Sequence, residues 1–285
     1  MKLICPNIRC KNPKVYKSGS YFRKSDSRLI QRYRCPRCLK KFSASTNDLC
    51  YRQKKRRINA PLKKLLCSNV SQRRAALILG VARKTVERRV AFLGKLARIE
   101  FDKFWQKQEK VEKFQFDDLQ TIEHSKCKPL SVSMAISENR KIMGIEVSKM
   151  PATGHLAAIA RKKYGRRKDE RQKGLLNLFK KIKEITTQNP EICSDEHPFY
   201  PPFVNKIFPE SNYQRVKGAR GSIAGQGELK KLRYDPLFTL NHTFAMCRAN
   251  INRLIRKTWC TTKDPSRLLD HLYIYAVFHN EILTR

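Results

Sequence analysis

The stretch Phe114-Gln115-Phe116-Asp117-Asp118 decides how this chain is read. Apolar and polar residues alternate through it, the period of a strand with one buried face, and it closes on two carboxylates. Two further strand-like runs follow, Leu130-Ser131-Val132-Ser133-Met134-Ala135-Ile136 and Lys141-Ile142-Met143-Gly144-Ile145-Glu146-Val147. The polar segment Ser137-Glu138-Asn139-Arg140 between them reads as a turn. A helix is expected over 170–186, with Leu175, Leu176, Leu178, Phe179 and Ile182 on one side. Glu191-Ile192-Cys193-Ser194-Asp195 reads as a fourth strand, and helices are expected over 240–257 and 266–283. Three adjacent strands, a helix, a strand and closing helices make a mixed α/β core.

In this reading Asp117 and Asp195 each end a strand. Carboxylates at strand ends converge at one edge of a sheet. Two of them can hold a pair of divalent ions about 4 Å apart, which activate a nucleophile and stabilise a leaving oxygen in phosphoryl chemistry. Mg²⁺ suits this role, with Mn²⁺ as its substitute, because it accepts a few carboxylates and keeps positions for water and phosphate.

Upstream lie Cys5-x4-Cys10 and Cys35-x2-Cys38, two knuckles 24 residues apart, with Pro6 and Pro36 favouring the turns. Four thiolates on two tight turns suit a structural, tetrahedral Zn²⁺ with no open position for water. So small a segment needs the metal to fold. The other six cysteines, Cys50, Cys67, Cys127, Cys193, Cys247 and Cys260, show no paired spacing and read as small buried thiols.

Between these regions, Ser71-Gln72-Arg73-Arg74-Ala75-Ala76-Leu77-Ile78-Leu79-Gly80-Val81-Ala82-Arg83-Lys84-Thr85-Val86 has the shape of a helix-turn-helix. Ser71 can cap the first helix, and Gly80 fits a turn that needs positive φ. The second helix would offer Arg83, Lys84, Thr85, Arg88 and Arg89 to a major groove. Ala82 stands where a capping Ser or Thr would be expected.

The composition fits a polyanion partner. Lys and Arg number 62 against 24 acidic residues, a formal net charge of +38. That field attracts nucleic acid. No segment reaches the ~18–20 continuous apolar residues of a spanning helix, so a membrane partner is not expected. Met1-Lys2-Leu3-Ile4-Cys5-Pro6 is too short for a signal peptide, and a cytoplasmic location is expected. An RNA-binding structural protein would share this charge, but aromatic platforms are sparse near the basic runs.

The order of these motifs resembles the transposases of the insertion-sequence-one type. The resemblance rests on the knuckles followed by Arg32-Tyr33-Arg34-Cys35 and Lys41-Phe42-Ser43, the helix-turn-helix, Phe116-Asp117-Asp118 and Ser194-Asp195. It continues from Phe238-Thr239-Leu240-Asn241 through Arg253-Leu254-Ile255-Arg256-Lys257-Thr258. It implies three parts: a zinc-ribbon-like finger at 1–46, a helix-turn-helix domain at 61–110 and a ribonuclease-H-like catalytic domain at 111–285. The family's acidic triad would place its first two residues on Asp117 and Asp195. Its glutamate position falls on Asn241, with Glu228 in a Gly-flanked loop as the alternative. The implied activity is binding of terminal inverted repeats and target DNA, followed by Mg²⁺-dependent cleavage and strand transfer by a homo-oligomer on DNA. Arg256, Lys257, Arg248, Arg253 and the basic run Arg161–Lys168 would hold phosphates. An inactive or domesticated zinc-finger DNA-binding protein is the alternative, kept open by the uncharged Asn241.

Overall fold

The computed structural model describes residues 3–10, 12, 14–24, 26–217, 235–255 and 260–283. Glu228, Arg256 and Lys257 lie outside the described residues. The chain divides into two compact units, Met1–Pro61 and Leu62–Arg285.

The first unit is built on a three-stranded antiparallel sheet, β1 (Tyr16–Arg23), β2 (Arg28–Arg34) and β3 (Lys41–Ser43), in the order β1-β2-β3. Among its described residues, the buried apolar side chains are Cys5, Cys35, Phe42 and Ile58. Four such side chains are too few to offset the ordering entropy of about 60 residues at ~1–2 kcal/mol each.

The second unit begins in helices and ends in a sheet. Helix α1 (Asn59–Leu66) precedes α2 (Gln72–Ile78) and α3 (Arg83–Trp105). Ser71 Oγ accepts the Arg74 N–H at 3.3 Å and caps α2. Gly80 turns the chain at φ +59°, a backbone conformation side chains resist. Along α3, Val86, Val90, Leu93, Ala97, Phe101 and Trp105 recur every three or four residues and are buried. That stripe packs along α8 (Pro265–Phe278). The helices meet so closely at Gly94 that a Cβ there would lie 2.4 Å from Asp270 Cβ. Asp270 is itself held between Arg98 at 2.6 Å and Arg267 at 2.5 Å.

The five-stranded sheet contains β4 (Val111–Ile122), β5 (Pro129–Ser137), β6 (Ile142–Lys149), β7 (Thr186–Asp195) and β8 (Asn212–Val216), in the order β6-β5-β4-β7-β8. The first three strands form an antiparallel meander, whereas β7 joins β4 in parallel and β8 joins β7 in parallel. Between and after them lie α4 (Leu156–Tyr164), α5 (Arg171–Lys183), α6 (Pro201–Ile207) and α7 (Phe238–Asn250). Phe114 and Phe116 of β4 pack against Phe179 of α5, Phe208 and Tyr200. Alternation along the strand turns Gln115 the other way, where it bonds the start of α7. At the edge, the Asn280 amide takes the place of a neighbouring strand, accepting from Ile142 N at 2.8 Å and donating to Ile142 O at 2.9 Å. The mixed α/β architecture is compatible with a ribonuclease-H-like domain.

Several boundaries differ from the sequence reading. Strand β4 runs on to Ile122 because Leu119–Ile122 pairs with Pro129–Val132, so Asp117 lies within the strand rather than at its end. The expected helix over 240–257 stops at Asn250, where Ile251 turns extended at φ −115°, ψ 101°. The closing helix is α-helical to Phe278 and continues as a π-helical turn over His279–Leu283. Strand β8 and helices α4 and α6 had no counterpart in the sequence reading. Within Leu62–Arg285, α3, α8 and the sheet share one hydrophobic core.

Candidate active site and metal centre

The parallel ladder between β4 and β7 ends at the pair Gln115 and Cys193. Two residues further along each strand come Asp117 and Asp195. A period of two puts both carboxylates on the face that Gln115 and Cys193 share, on neighbouring strands about 5 Å apart. Asp195 does end its strand, as expected.

Asp117 is set in a confined environment. Burial pushes its carboxyl up to about 7, helped by the Asp195 charge, while the Asp118 backbone N–H and the Tyr200 hydroxyl pull the other way. The Tyr200 hydroxyl donates to Asp117 Oδ1 at 2.9 Å. Asp118, next along the strand, is held above the usual carboxylate range by burial, and it accepts a hydrogen bond from Ser133. Asp195 Oδ1 accepts from the His197 backbone N–H at 3.1 Å.

Helix α7 reaches this face through Gln115. The Gln115 amide donates to Pro236 O at 2.7 Å and accepts the Leu240 N–H at 3.0 Å. Asn241, the next residue, is exposed and donates through Nδ2 to Asp235 at 2.9 Å. Its carbonyl oxygen thus remains the atom available for a ligand. Asp235 also accepts the Leu237 N–H at 3.0 Å, so one carboxylate orders both the helix start and the Asn241 amide. Sequence reasoning missed Gln115, Tyr200 and Asp235. Only Asp235-Pro236 carried a local signal, a helix-start pattern.

In the first unit the four sulfurs of Cys5, Cys10, Cys35 and Cys38 lie within 4.8 Å of one another. Cys5 and Cys38 sulfurs are 3.4 Å apart, and those of Cys10 and Cys35 are 3.7 Å apart. Tetrahedral Zn–S bonds of ~2.3 Å imply S···S separations of about 3.8 Å, so the cluster could hold zinc. The knuckles are shaped by backbone bonds, Cys10 N to Asn7 O at 2.9 Å and Leu39 N to Cys35 O at 2.9 Å. The Lys40 backbone N–H draws the Cys38 thiol down, while burial pushes the Cys5 and Cys10 thiols up. Among the described residues this is the one group of three or more His, Cys, Asp or Glu side chains close enough to share an ion.

The basic residues named for DNA divide by exposure. Arg83, Lys84 and Arg88 are exposed on the first turns of α3, and Thr85 is half-buried. Arg83 pairs with Glu87 at 2.9 Å. Arg89 is only 9% exposed, so it does not share their open face. It falls three residues after Val86 and four before Leu93, on the stripe that packs inward.

No known family profile matches this chain, and no curated protein matches it. A weak structural neighbour is a chain of "a pre-cleavage Mos1 transpososome", with 13% identity and a TM-score of 0.21 over 78% of this chain and 75% of that one. A likeness at that TM-score decides nothing about this chain.

Proposed function

We propose that this chain is a DNA transposase of the insertion-sequence-one type, cutting and joining DNA at Asp117 and Asp195. The observation that carries this reading is the placement of those two carboxylates on adjacent parallel strands, where the ladder between them stops. Asp117, Asp195 and the Asn241 carbonyl would hold Mg²⁺, which would supply an activated nucleophile and a stabilised leaving oxygen at a phosphodiester. Tyr200 orients Asp117 and favours its ionised form, and Gln115 sets the start of α7 against the same face. The four-cysteine finger and the exposed cations of α3 would grip the element ends, in a homo-oligomer on cytoplasmic DNA.

The test is cleavage of duplex DNA carrying the inverted repeats that flank the gene, in Mg²⁺. Asp117→Asn and Asp195→Asn should each abolish cleavage while DNA binding survives. A second reading, a DNA-binding relative that has lost catalysis, is favoured by the uncharged Asn241. Binding without cleavage by the unaltered chain would support it instead.

A further inference from the structure

Strand β7 ends at Asp195, and the chain leaves it in a turn closed by that carboxylate, whose Oδ1 accepts the His197 N–H at 3.1 Å. The turn is also tied to the neighbouring strand, because Arg215 of β8 donates to Glu196 O at 2.8 Å. His197 is thereby fixed to one of the two carboxylates through its backbone. Its side chain is fixed to the other through Tyr200. The imidazole lies against the Tyr200 ring, with 5.1 Å between centroids and 34° between planes, and the Tyr200 hydroxyl bonds Asp117 at 2.9 Å.

The ring is held in one tautomer. The Phe199 backbone N–H meets Nδ1 at 3.2 Å. A backbone N–H can only donate, so Nδ1 is the acceptor and the ring hydrogen sits on Nε2. Phe199 also stands edge-on to the imidazole at 6.1 Å, and the Arg171 guanidinium lies 5.5 Å over the Phe199 ring. His197 is exposed, and its Nε2 has no hydrogen-bond partner among the described residues. A cation at this place would pair with Asp117 or Asp195 and compete with a metal for them. A neutral N–H does not, and it can approach a phosphate oxygen beside the metal.

We propose that His197 is a further catalytic residue, which donates from Nε2 to a non-bridging oxygen of the phosphodiester held at Asp117 and Asp195. The proposal rests on the phosphoryl-transfer reading of those two carboxylates. The proton stays on His197. Negative charge that builds on the phosphate oxygen during attack strengthens the bond, so the donor acts on the transition state more than on the bound substrate. In the ground state it is one contact among many along the DNA.

Two measurements on the full, zinc-loaded chain test this. The first needs neither DNA nor Mg²⁺. The chain contains six histidines, and isotope labelling of the histidine nitrogens resolves their rings by NMR, with the His197 signals identified by their loss in His197→Gln. At mildly alkaline pH, Nδ1 of His197 should be bare and Nε2 protonated. The opposite tautomer would leave no donor for the phosphate and would overturn the proposal, whatever the chain does to DNA.

The second is single-turnover cleavage of the inverted-repeat duplex in saturating Mg²⁺. His197→Ala should slow cleavage about 100- to 1,000-fold, as the loss of one preorganised donor does. Its affinity for the duplex should stay within about twofold, since the other phosphate contacts remain. His197→Gln, whose amide offers an N–H from a similar reach, should recover at least about tenfold of the loss. Unchanged melting of both variants confirms that the exposed position is not needed for folding. Equal loss in the two variants would show that the N–H is not the cause. A loss repaired by more Mg²⁺ would place His197 behind the metal ligands, and either result overturns the proposal. Where the unaltered chain cuts and His197→Ala cuts as fast, this proposal alone falls. Where the unaltered chain cuts nothing, the transposase reading falls and takes this proposal with it.

Discussion

Tyr200 donates its phenolic hydrogen to Oδ1 of Asp117 at 2.9 Å, joining two residues 83 positions apart at the point where the β4–β7 ladder ends. The bond favours the carboxylate over the acid in a site whose burial pushes Asp117 up to about 7. Tyr200→Phe removes that support while leaving the ring. Cleavage should fall about 10- to 100-fold, the usual cost of losing a partner behind a metal ligand, with a higher Mg²⁺ requirement. A Mg²⁺ titration of the cleavage rate checks this; an unchanged curve would show that the hydroxyl has no part in placing metal.

The third ligand is decided by substitutions in opposite directions. With Asn241 as ligand, Asn241→Ala is inactive, Asn241→Asp retains cleavage, and Glu228→Gln is tolerated. Asp235→Ala should then also weaken cleavage, because it releases the Asn241 amide and the Leu237 N–H together. The reverse pattern, with Glu228→Gln dead and Asn241→Ala active, assigns the role to Glu228.

The first unit should stand or fall with its metal. Cys35→Ser should release one zinc per chain and abolish the circular dichroism of the β1–β3 sheet, since the unit has so small an apolar core. Thermal melting of residues 62–285, a separate compact unit, should be unaffected. Protein purified without chelator and found free of zinc would contradict the centre.

Acid should loosen the second unit through His271. Its ring is buried, donates from Nε2 to Leu66 O at 2.9 Å, and is pushed down to about 4 by burial and by the Arg253 charge. The unfolded chain takes up this proton near 6.5, whereas the folded chain resists it until about 4. Stability is therefore complete above pH ~6.5 and declines as pH falls toward 4, by up to about 3 kcal/mol. His271→Gln keeps a donor for Leu66 O and removes the proton uptake. Its urea midpoint should vary less over that interval than the parent's; parallel curves would rule out His271 as the source.

What could be read beforehand was local. The cysteine spacing announced the four-sulfur cluster, Ser71 and Gly80 announced a cap and a turn, and alternation around Asp117 announced a strand. Arg89 was misplaced although its spacing from Val86 and Leu93 was visible, because its charge was weighed above its phase on the helix. Asp117 was put at a strand end because the alternation of apolar and polar residues stops at the two carboxylates. Only pairing with β5 shows that Ser133 and burial carry Asp118 through the sheet. Tyr200 and Gln115 could not have been found, since their roles are contacts across 83 and 125 residues that no local period encodes.

Helix α3 has one last consequence. Its 23 residues form a rod about 35 Å long. The first turns carry Arg83, Lys84 and Arg88 in solvent, and the remainder is clamped against α8 and the core beside the sheet. The clamp closes at Gly94, where not even a methyl group fits beside Asp270. No slack segment separates the two ends of this rod. On the proposed function the helix would work as a calliper: a duplex seated on its tip would meet the carboxylates at an offset fixed by the helix itself.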